Sequence, residues 1–399
     1  MFENVKQLPP DPILGLNQVF QQDNNPDKIN LSVGVYQNAQ GKTPIFSAVK
    51  KAEKELLLAQ QTKSYAPQAG DPAFNDQISR LILSDDLVDS LGSRLSTIMT
   101  PGGCGALRML AELLVRARPN ARLWVSSPTW GNHFPLLETA GLSLKEYAYY
   151  DTNIRSIDFA ATQTSLSAIP RGDTVLLHGC CHNPTGADFT PEQWDKVIDI
   201  MLERDLTAFF DVAYQGFGDG LDEDAYAIRE AVKRLPEVIV ASSCSKNFGL
   251  YRERTGAALI VSQSQKATAA ANSQVLSAAR TSYSMSPYHG GGIVGHLLSD
   301  ADLRNEWMLE LEQVRNNMNG MRQRLADSLN TAQDVIDFEF VARSKGMFCF
   351  LGIPRDDVLA LRSEFGIYLL ESTRINVAGL SDKNLPVIVQ RVSDVITRK

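Results

Sequence analysis

The middle of the chain repeats one pattern, and this pattern restricts the possible folds more than any other feature. A short β-branched or aromatic segment is followed by a polar turn and then by a segment with helical spacing. The predicted strands are RLWVSSPTW (122–130), DTVLLHGCC (173–181), TAFFDVAY (207–214), EVIVASSC (237–244) and GAALIVS (256–262). Strands that alternate with helices form mostly parallel sheets with helices on both faces. We therefore expect an α/β fold.

The segment between the second and third predicted strands carries the signals of a helix start. Thr190 can accept a hydrogen bond as the N-cap, Pro191 suits the first helical position, and Glu192 places a negative charge in the first turn. These residues predict a helix that connects one strand to the next.

The C-terminal part of the chain follows a different pattern. Apolar residues recur at helical spacing over 302–330, and a continuous helix of that length would extend about 40 Å at ~1.5 Å per residue. The tail beyond it predicts a small α+β unit, which the N-terminal segment joins. The predicted domains are 1–45 (an N-terminal arm and part of the small domain), 46–305 (the large domain) and 306–399 (the connecting helix and the small C-terminal domain).

Composition and charge argue against several classes of protein. Lys and Arg number 39 against 46 Asp and Glu, a net charge of −7, whereas nucleic-acid surfaces need a clustered basic excess. No apolar run approaches the ~20 residues that span a bilayer. The five cysteines are odd in number, and the start of the sequence lacks the charged and apolar regions of a secretion signal. We expect a reduced, cytoplasmic protein.

Polar and aromatic side chains follow the predicted strands at their carboxyl ends, where open parallel sheets bind ligands. They supply an indole, an amide, a carboxylate, a phenol and an amine, from Trp130, Asn183, Asp211, Tyr214 and Lys246. A lysine amine can form a Schiff base with a carbonyl compound, and a carboxylate can pair with a protonated ring nitrogen. Pyridoxal phosphate needs both groups, so the pattern predicts a site for this cofactor.

A glycine turn opens directly into a helical segment over residues 100–116, TPGGCGALRMLAELLVR. Backbone N–H groups at a helix start lack partners and carry the positive end of the helix dipole, so the turn predicts a seat for phosphate. The Ser243 hydroxyl and the Arg254 guanidinium can complete this seat. Each feature alone is common in structural roles, and the prediction depends on their ordered combination.

Two histidine-containing features are open to other interpretations. His133 is either a structural histidine or a partner of Asp211 that tunes the charge of the carboxylate. The segment HGCCH (178–182) offers imidazoles and thiols to a metal. On an extended strand, however, residues two apart are separated by about 6.6 Å and neighbours face opposite ways, too spread for zinc ligands at ~2.0–2.3 Å. We therefore expect no metal there.

The ordered motifs resemble those of the aspartate and aromatic aminotransferases, class I of the fold-type I pyridoxal-phosphate enzymes. They are TPGGCGALR, LWVSSPTWGNH, HGCCHNPTG, DVAYQGFGDGLDEDA, SSCSKNFGLYRERTGA and STRINVAG. The resemblance extends from DPILGL near the start to the last predicted helix, and several segments are most similar to bacterial aromatic-type members. It implies a large domain whose mostly parallel sheet lies between helices, with a smaller α+β domain from the N- and C-terminal segments.

The resemblance implies a role for each residue of the site. Lys246 is implied to hold pyridoxal 5'-phosphate as a covalent aldimine and later to move the substrate α-proton. Asp211 is implied to pair with the ring nitrogen, with His133 as its partner. The other implied cofactor contacts are Tyr214 and Asn183 at the phenolate oxygen, Trp130 beside the ring, and Gly103, Cys104, Ser243 and Arg254 at the phosphate.

The same resemblance implies the substrate contacts. Arg374 in STRINVAG is similar to the family's clamp for the substrate α-carboxylate, with Gly34 close by, and the substrate site also includes Trp130 and Asn183. Tyr65 and Arg280 resemble residues that the family lends to the neighbouring subunit, one at the phosphate and one at the distal substrate carboxylate. This sharing implies a homodimer.

Two positions depart from the family pattern. Cys104 stands where the family usually has Thr or Ser, which leaves the backbone N–H as the donor to phosphate. Met285 stands where aspartate-type members often have Asn, which makes the surroundings of Arg280 less polar and favours aromatic substrates. Because burying an unpaired guanidinium is costly, an aromatic substrate must displace Arg280 or stack on it, and we expect Arg280 to be mobile.

The resemblance implies a pyridoxal-phosphate-dependent aminotransferase with a ping-pong cycle. The amino group would pass from phenylalanine, tyrosine or tryptophan, from aspartate, or from both kinds of donor, to 2-oxoglutarate. The alternatives are a strict aspartate aminotransferase, a lyase or decarboxylase that uses the same cofactor, and a non-catalytic pyridoxal-phosphate protein. Arg374 argues against the last, because a binding protein has no need of an α-carboxylate clamp.

Overall fold

The structure is a computed structural model that describes residues 1–9, 11–38 and 40–398. The chain divides into two compact units. The larger unit comprises Pro44–Asn183 and Ala187–Asn316, and the smaller comprises Met1–Thr43, Pro184–Gly186 and Asn317–Lys399. The domain boundaries at residues 45 and 305 stay a prediction.

Strands and helices alternate through the larger unit, as the repeating pattern predicts. In chain order the strands of the described residues are β1 (Ile29–Asn30), β2 (Leu95–Pro101), β3 (Arg122–Ser127), β4 (Ser143–Ala148), β5 (Tyr150–Asp151), β6 (Ser156–Ile157), β7 (Thr174–His178), β8 (Thr207–Val212), β9 (Val238–Ser243), β10 (Thr255–Val261), β11 (Phe348–Phe350), β12 (Ile367–Tyr368) and β13 (Arg374–Asn376). The helices are α1 (Pro12–Gln22), α2 (Ser47–Ala59), α3 (Pro72–Leu83), α4 (Asp85–Leu91), α5 (Gly102–Ala117), α6 (His133–Glu138), α7 (Phe159–Ser167), α8 (Pro191–Glu203), α9 (Tyr226–Arg234), α10 (Gln265–Ser282), α11 (Tyr288–Ser299), α12 (Ala301–Ala332), α13 (Glu339–Ala342), α14 (Arg355–Phe365) and α15 (Leu385–Ile396). Short 3-10 turns occupy Phe2–Asn4, Gly92–Arg94, Glu223–Ala225 and Val377–Gly379.

The main sheet has the strand order β2-β10-β9-β8-β7-β3-β4. The pairs β9/β8, β8/β7, β7/β3 and β3/β4 are parallel, and β10 is antiparallel to both of its neighbours. Every residue of β7, β9 and β10 is buried, as expected for strands covered on both faces. The predicted mostly parallel sheet between helices is confirmed.

The five predicted strands all exist, but each is shorter than predicted at its carboxyl end. The second ends at His178 instead of residue 181, and the third ends at Val212 instead of residue 214. The residues beyond these ends form the loops that carry the site. Two strands of the sheet, β2 and β4, were not among those predicted, because β2 ends at a proline, Pro101, and the edge strand β4 has little apolar alternation.

The helix α8 begins as its sequence predicts. The hydroxyl of Thr190 accepts from the backbone N–H of Gln193 at 3.3 Å, and the Gln193 side chain accepts from the N–H of Thr190 at 3.0 Å. This reciprocal pair is a capping box, and Pro191 occupies the first helical position. The helix therefore starts where local chemistry alone would start it.

The predicted helix over 302–330 is confirmed as α12, which has 32 residues and a length of about 48 Å at 1.5 Å per residue. The boundary between the two units falls inside this helix, after Asn316. Trp307, Leu311, Val314 and Met318 are buried at helical spacing. The apolar stripe of this helix is therefore core.

The smaller unit contains two short two-stranded sheets. The strands β1 and β12 are parallel, and β11 and β13 are antiparallel with Phe348 opposite Asn376 and Phe350 opposite Arg374. A hydrophobic core that includes Leu31, Phe338 and Ile388 joins the N- and C-terminal segments. The predicted α+β unit from both ends of the chain is confirmed.

Candidate functional site

The register of the main sheet brings the glycine turn beside the end of β9. Gly256 on β10 pairs with Ser243 on one side and with Thr100 on the other. A Cβ atom at Gly256 would lie 2.5 Å from both the carbonyl carbon of Gly102 and the carbonyl oxygen of Ser242. The strands and the turn approach this closely only because residue 256 has no side chain.

The first residues of α5 form an open cradle at this edge of the sheet. Gly102 has φ +73°, and a Cβ atom there would overlap the guanidinium of Arg254. A Cβ atom at Gly103 would lie 3.0 Å from the Cβ of Ser243. The first N–H groups of a helix have no intrahelical acceptor, and Pro101 has no side-chain acceptor with which to cap them. The cradle therefore presents backbone donors, a hydroxyl and a cation together, a donor set that suits a phosphate group.

The arginine of the cradle is held by residues on both sides of Lys246. Nη1 of Arg254 donates to Oγ of Ser245 at 3.3 Å and to the carbonyl of Tyr251 at 3.2 Å, and Ser243 Oγ donates to Ser245 Oγ at 3.1 Å. Arg254 itself has φ +54°. Two hydroxyls and a guanidinium are thus linked to one another.

Cys104 is half-buried in the first turn of α5. Burial raises the pKa of its thiol, and the positive charge of Arg254 only partly opposes that shift. The thiol therefore stays protonated at neutral pH.

Asp211, near the end of β8, forms a buried pair with His133 at the start of α6. Nε2 of His133 donates to Oδ2 of Asp211 over 3.0 Å, and the two residues are 0% and 9% exposed. Burial alone would raise the pKa of Asp211, but the hydrogen bond and charge of His133, with a smaller contribution from Lys246, leave that pKa below its ordinary value. The buried carboxylate is therefore ionised, which suits a partner for a protonated ring nitrogen.

The hydroxyl of Thr129 links the Asp211–His133 pair to a second buried histidine, His178. Oγ1 of Thr129 lies 2.8 Å from Nδ1 of His133 and 3.0 Å from Nε2 of His178. Burial lowers the pKa of His178 to about 3, so this imidazole is neutral. The His182 ring lies 4.2 Å from the His178 ring, and its Nε2 is 2.9 Å from Oγ of Ser126. The sequence analysis missed Thr129, whose only signal is its position four residues before His133.

Lys246 lies in the turn after β9 and Tyr214 in the loop after β8. The Lys246 ammonium is 4.8 Å from the centre of the Tyr214 ring. Lys246 is half-buried, whereas Tyr214 is buried. The amine and the phenol therefore share one edge of the sheet with Asp211.

The loop that carries Tyr214 is fixed by a residue that the sequence analysis missed. The carboxylate of Asp224 accepts from the backbone N–H groups of Gly216, Gly218 and Asp219 at 2.8–2.9 Å. The signal in the sequence is the acidic end of DGLDEDA, although nothing there shows which carboxylate turns inward.

Asn183 is buried in the loop that follows β7. In that loop the Asp188 carboxylate accepts from the N–H groups of Cys181 at 2.6 Å and His182 at 2.8 Å. The indole of Trp130 meets the His133 ring edge to face, with 5.3 Å between the ring centres. The structure thus brings Trp130, Asn183 and the Asp211 pair to the same end of the sheet.

The cysteines of HGCCH do not lie on an extended strand, so the spacing argument against a metal does not apply to them. Cys181 has φ +52°, and donor atoms of Cys180, Cys181 and Asp224 lie within 4.8 Å of one another. The Asp224 carboxylate already accepts three backbone hydrogen bonds. Burial also raises the pKa of the Cys181 thiol. These groups suit a structural role, and a site without metal stays a prediction.

The predicted α-carboxylate clamp lies in the smaller unit. Arg374 is buried on β13, where its Nη2 donates to the carbonyl of Ser32 at 2.7 Å and its guanidinium carbon lies 4.0 Å from the Phe348 ring centre. Gly34 is two residues beyond Ser32 in the chain. The two predicted substrate residues of this unit are therefore neighbours.

Arg280 and Tyr65 have a different environment. Arg280 is exposed in the last turn of α10, where its Nη1 donates to Oγ of Ser284. Tyr65 is 91% exposed. The single chain does not enclose these two side chains as it encloses Asp211.

Comparison with known proteins identifies the family. The model of the family "Aminotransferase class I and II" matches residues 26–392. The aspartate aminotransferase of Salmonella typhi is 45% identical over 99% of this chain and 100% of its own length. The aromatic-amino-acid aminotransferase of Paracoccus denitrificans is 43% identical over the same shares.

A solved structure supports the same assignment. The aromatic-amino-acid aminotransferase from Burkholderia pseudomallei, covalently bound to pyridoxal phosphate, superposes with a TM-score of 0.96 and 39% identity over 100% of both chains. The match of the family model and the relatives covers nearly the whole chain, including both units. The chain therefore belongs to the class I and II aminotransferase family.

Proposed function

We propose that this aminotransferase uses pyridoxal 5'-phosphate and transfers the amino group of an aromatic L-amino acid, of aspartate, or of both, to 2-oxoglutarate. The observation that carries the proposal is the edge of the main sheet where Lys246, Tyr214 and the buried Asp211–His133 pair lie beside an anion cradle. The relatives include one aminotransferase named for aspartate and one named for aromatic amino acids, which supports both classes of amino donor.

Pyridoxal phosphate, when bound, supplies an aldehyde that reacts with amines and a ring that withdraws electrons from the substrate α-carbon. In the proposed site the N–H of Gly103, the N–H of Cys104, the Ser243 hydroxyl and the Arg254 guanidinium bind the phosphate. The Asp211 carboxylate, ionised by its contact with His133, holds the proton on the ring nitrogen.

The remaining residues of the main sheet edge act at the reacting end. Asn183 and Tyr214 would donate hydrogen bonds to the phenolate oxygen of the ring, and Trp130 would pack beside the ring and exclude water. The amine of Lys246 would hold the cofactor between turnovers and would then carry the proton that leaves the substrate α-carbon.

Arg374 is proposed to bind the substrate α-carboxylate, near Gly34, and Arg280 the distal carboxylate of a dicarboxylic substrate. A guanidinium matches a carboxylate bidentately. Met285 follows Arg280 by five residues and offers an aromatic ring an apolar contact. A strict aspartate aminotransferase is the second candidate, favoured by the retained Arg280.

The proposed assembly is a homodimer in which Tyr65 and Arg280 serve the partner's site. The exposure of both side chains supports this proposal, because residues assigned to a site should be covered when that site is complete. We also propose that the protein works in the cytoplasm, supported by five cysteines that are all free thiols. In the part of the chain that the structure describes, no helix is long and apolar enough to cross a membrane.

The test is a half-reaction with the purified, cofactor-loaded protein. Excess aspartate and, separately, excess phenylalanine are added without any oxo acid, and the absorbance of the bound cofactor is followed. We expect both amino acids to change it, and the matching 2-oxo acids to be released in amounts equal to the sites. A response to aspartate alone would establish the strict aspartate enzyme. Products other than 2-oxo acids would replace transamination with another reaction.

A further inference from the structure

Phe348 lies on the same face of the β11/β13 pair as Arg374 and Asn376. Phe348 is directly opposite Asn376, and Arg374 is two residues away on the same strand, so the three side chains point to one side. The guanidinium carbon of Arg374 lies 4.0 Å from the centre of the Phe348 ring. Since Arg374 is 3% exposed, this cation–π contact is shielded from water.

The tip of the same ring determines the space at Gly34. A Cβ atom on Gly34 would lie 2.7 Å from Cζ of Phe348, closer than carbon atoms approach without displacement. Gly34 has no positive φ that would require glycine. Its lack of a side chain is therefore explained by the ring that lies against it.

Two side chains of β13 fix the segment on either side of Gly34. Nδ2 of Asn376 donates to the carbonyls of Val33 at 2.7 Å and Val35 at 2.8 Å. Nη2 of Arg374 donates to the carbonyl of Ser32 at 2.7 Å. The segment thus cannot move away from the ring without breaking these three hydrogen bonds, of which the one from Arg374 is buried.

We propose that Phe348 is a positioning residue for recognition of the substrate α-carboxylate, because its ring face orients Arg374 and its ring tip fixes the backbone at Gly34. This inference rests on the proposed role of Arg374. The α-carboxylate is common to aromatic and dicarboxylic amino acids, so the contribution of Phe348 is the same for both. Phe348 acts through Arg374 and Gly34 and takes no part in proton transfer.

The first experiment replaces the ring with an aliphatic side chain. Phe348→Leu is expected to raise KM for phenylalanine and for aspartate about tenfold, with kcat changed less than about twofold, because the orienting contact is lost and the reacting groups are not. The affinity of the apo-protein for pyridoxal phosphate, which has no α-carboxylate, is expected to stay unchanged. Phe338→Leu is the matched control, since Phe338 is buried in the core of the same unit, and it should leave KM unchanged.

A double-mutant cycle tests the link to Gly34. Gly34→Ala alone is expected to weaken binding of 3-phenylpropionate, measured by calorimetry, by about 30-fold, because the new methyl group displaces the ring. In the Phe348→Leu background the same change should weaken it by no more than about threefold. Equal effects of Gly34→Ala in both backgrounds would overturn the link between the ring and Gly34.

Arg374→Leu separates the failure of this inference from the failure of the proposed function. If Arg374→Leu leaves the affinity for 3-phenylpropionate unchanged, the proposed α-carboxylate clamp is wrong. If Arg374→Leu weakens binding but Phe348→Leu does not, the clamp stands and the positioning role of Phe348 is overturned. A loss of affinity for pyridoxal phosphate in Phe348→Leu, with thermal unfolding unchanged, would also overturn that role.

Discussion

Two groups of predicted site residues differ in what surrounds them. Asp211 and His133 are buried at the end of the main sheet, and their hydrogen bonds continue through Thr129 to His178. Arg280 and Tyr65 are exposed, and Arg280 donates a hydrogen bond to Ser284, four residues further along its own chain segment. The first group is complete within one chain, whereas the second has the exposure of residues that act at a surface.

The largest effect should come from Lys246→Ala, and this variant can also test whether Arg280 serves the site of a partner subunit. Lys246→Ala should lower aspartate transamination by about 10⁴-fold or more, because both the amine that holds the cofactor and the base are lost. Mixing it with Arg280→Ala protein, after unfolding and refolding together, should restore activity. A mixed dimer would contain one site with the native Lys246 of one chain and the native Arg280 of the other.

The control for this experiment is each variant refolded alone. Activity in the mixture no greater than the sum of the two would contradict shared sites. A molecular mass of one chain in sedimentation would contradict the dimer itself.

Within the buried group, substitution of a residue proposed to contact the cofactor should lower kcat more than substitution of a residue that acts through His133. Asp211→Asn should lower kcat about 100- to 1,000-fold, because a neutral amide cannot stabilise a positive charge on the ring nitrogen. Thr129→Val keeps the side-chain shape and removes the hydroxyl between His133 and His178, and its effect on kcat should be about tenfold or less. Steady-state kinetics with saturating cofactor would measure both, and a larger loss for Thr129→Val would refute this order.

Among the exposed residues, Arg280 should discriminate between substrates. Arg280→Ala should lower kcat/KM for aspartate about 100-fold, since a charge-assisted pair is lost, while phenylalanine should change less than about threefold. Arg324→Ala, at an exposed arginine paired with Asp382, is the control. Equal losses for both substrates would contradict the expectation that Arg280 moves aside for an aromatic ring.

The smallest effect concerns stability and pH in the buried group. Burial lowers the pKa of His178 from 6.5 to about 3. Between pH 3 and pH 6.5 the unfolded chain binds a proton at His178 that the native state does not bind. The contribution of neutral His178 to the free energy of unfolding is therefore complete above pH 6.5 and is lost as the pH falls towards 3. His178→Asn should reduce the slope of unfolding free energy against pH by up to about 1.4 kcal/mol per pH unit.

Urea unfolding at pH 7, 6 and 5 would measure this slope. Burial shifts the pKa of His182 in the same direction, so part of the slope should remain in the variant. His296→Asn, at a partly exposed histidine paired with Glu55, should leave most of the slope in place. An unchanged slope in His178→Asn would show that His178 is not the group responsible.

Much of the architecture could be predicted because its signals are local. The capping box at Thr190 and the apolar stripe of α12 depend on residues three or four positions apart. The alternation of strands and helices likewise predicts the parallel sheet, whose carboxyl ends are known to bind ligands. Strand ends were predicted less well, because the hydrogen bonds that end β7 at His178 depend on its neighbours in the sheet.

The residues of the site show the same division between features with a local sequence signal and features that depend on tertiary contacts. The motif resemblance predicts Lys246, Asp211 and the glycine turn, and their roles in binding stay proposals that the geometry supports. The contacts that hold these residues were not predicted. Thr129 and Asp224 are ordinary polar residues in the sequence, and only their positions in the fold make them partners of His133 and of the loop after β8.

The sequence by itself determined the fold class, the family resemblance and the chemistry available at the sheet edge, because side-chain type and short-range spacing are sufficient for each. Only the tertiary structure decided which polar groups meet in the interior. Gly34 and Phe348 lie at opposite ends of the chain, yet one ring explains why position 34 lacks a side chain. Such contacts depend on how segments that are distant in the sequence pack closely against each other. A local sequence pattern carries no information about that packing.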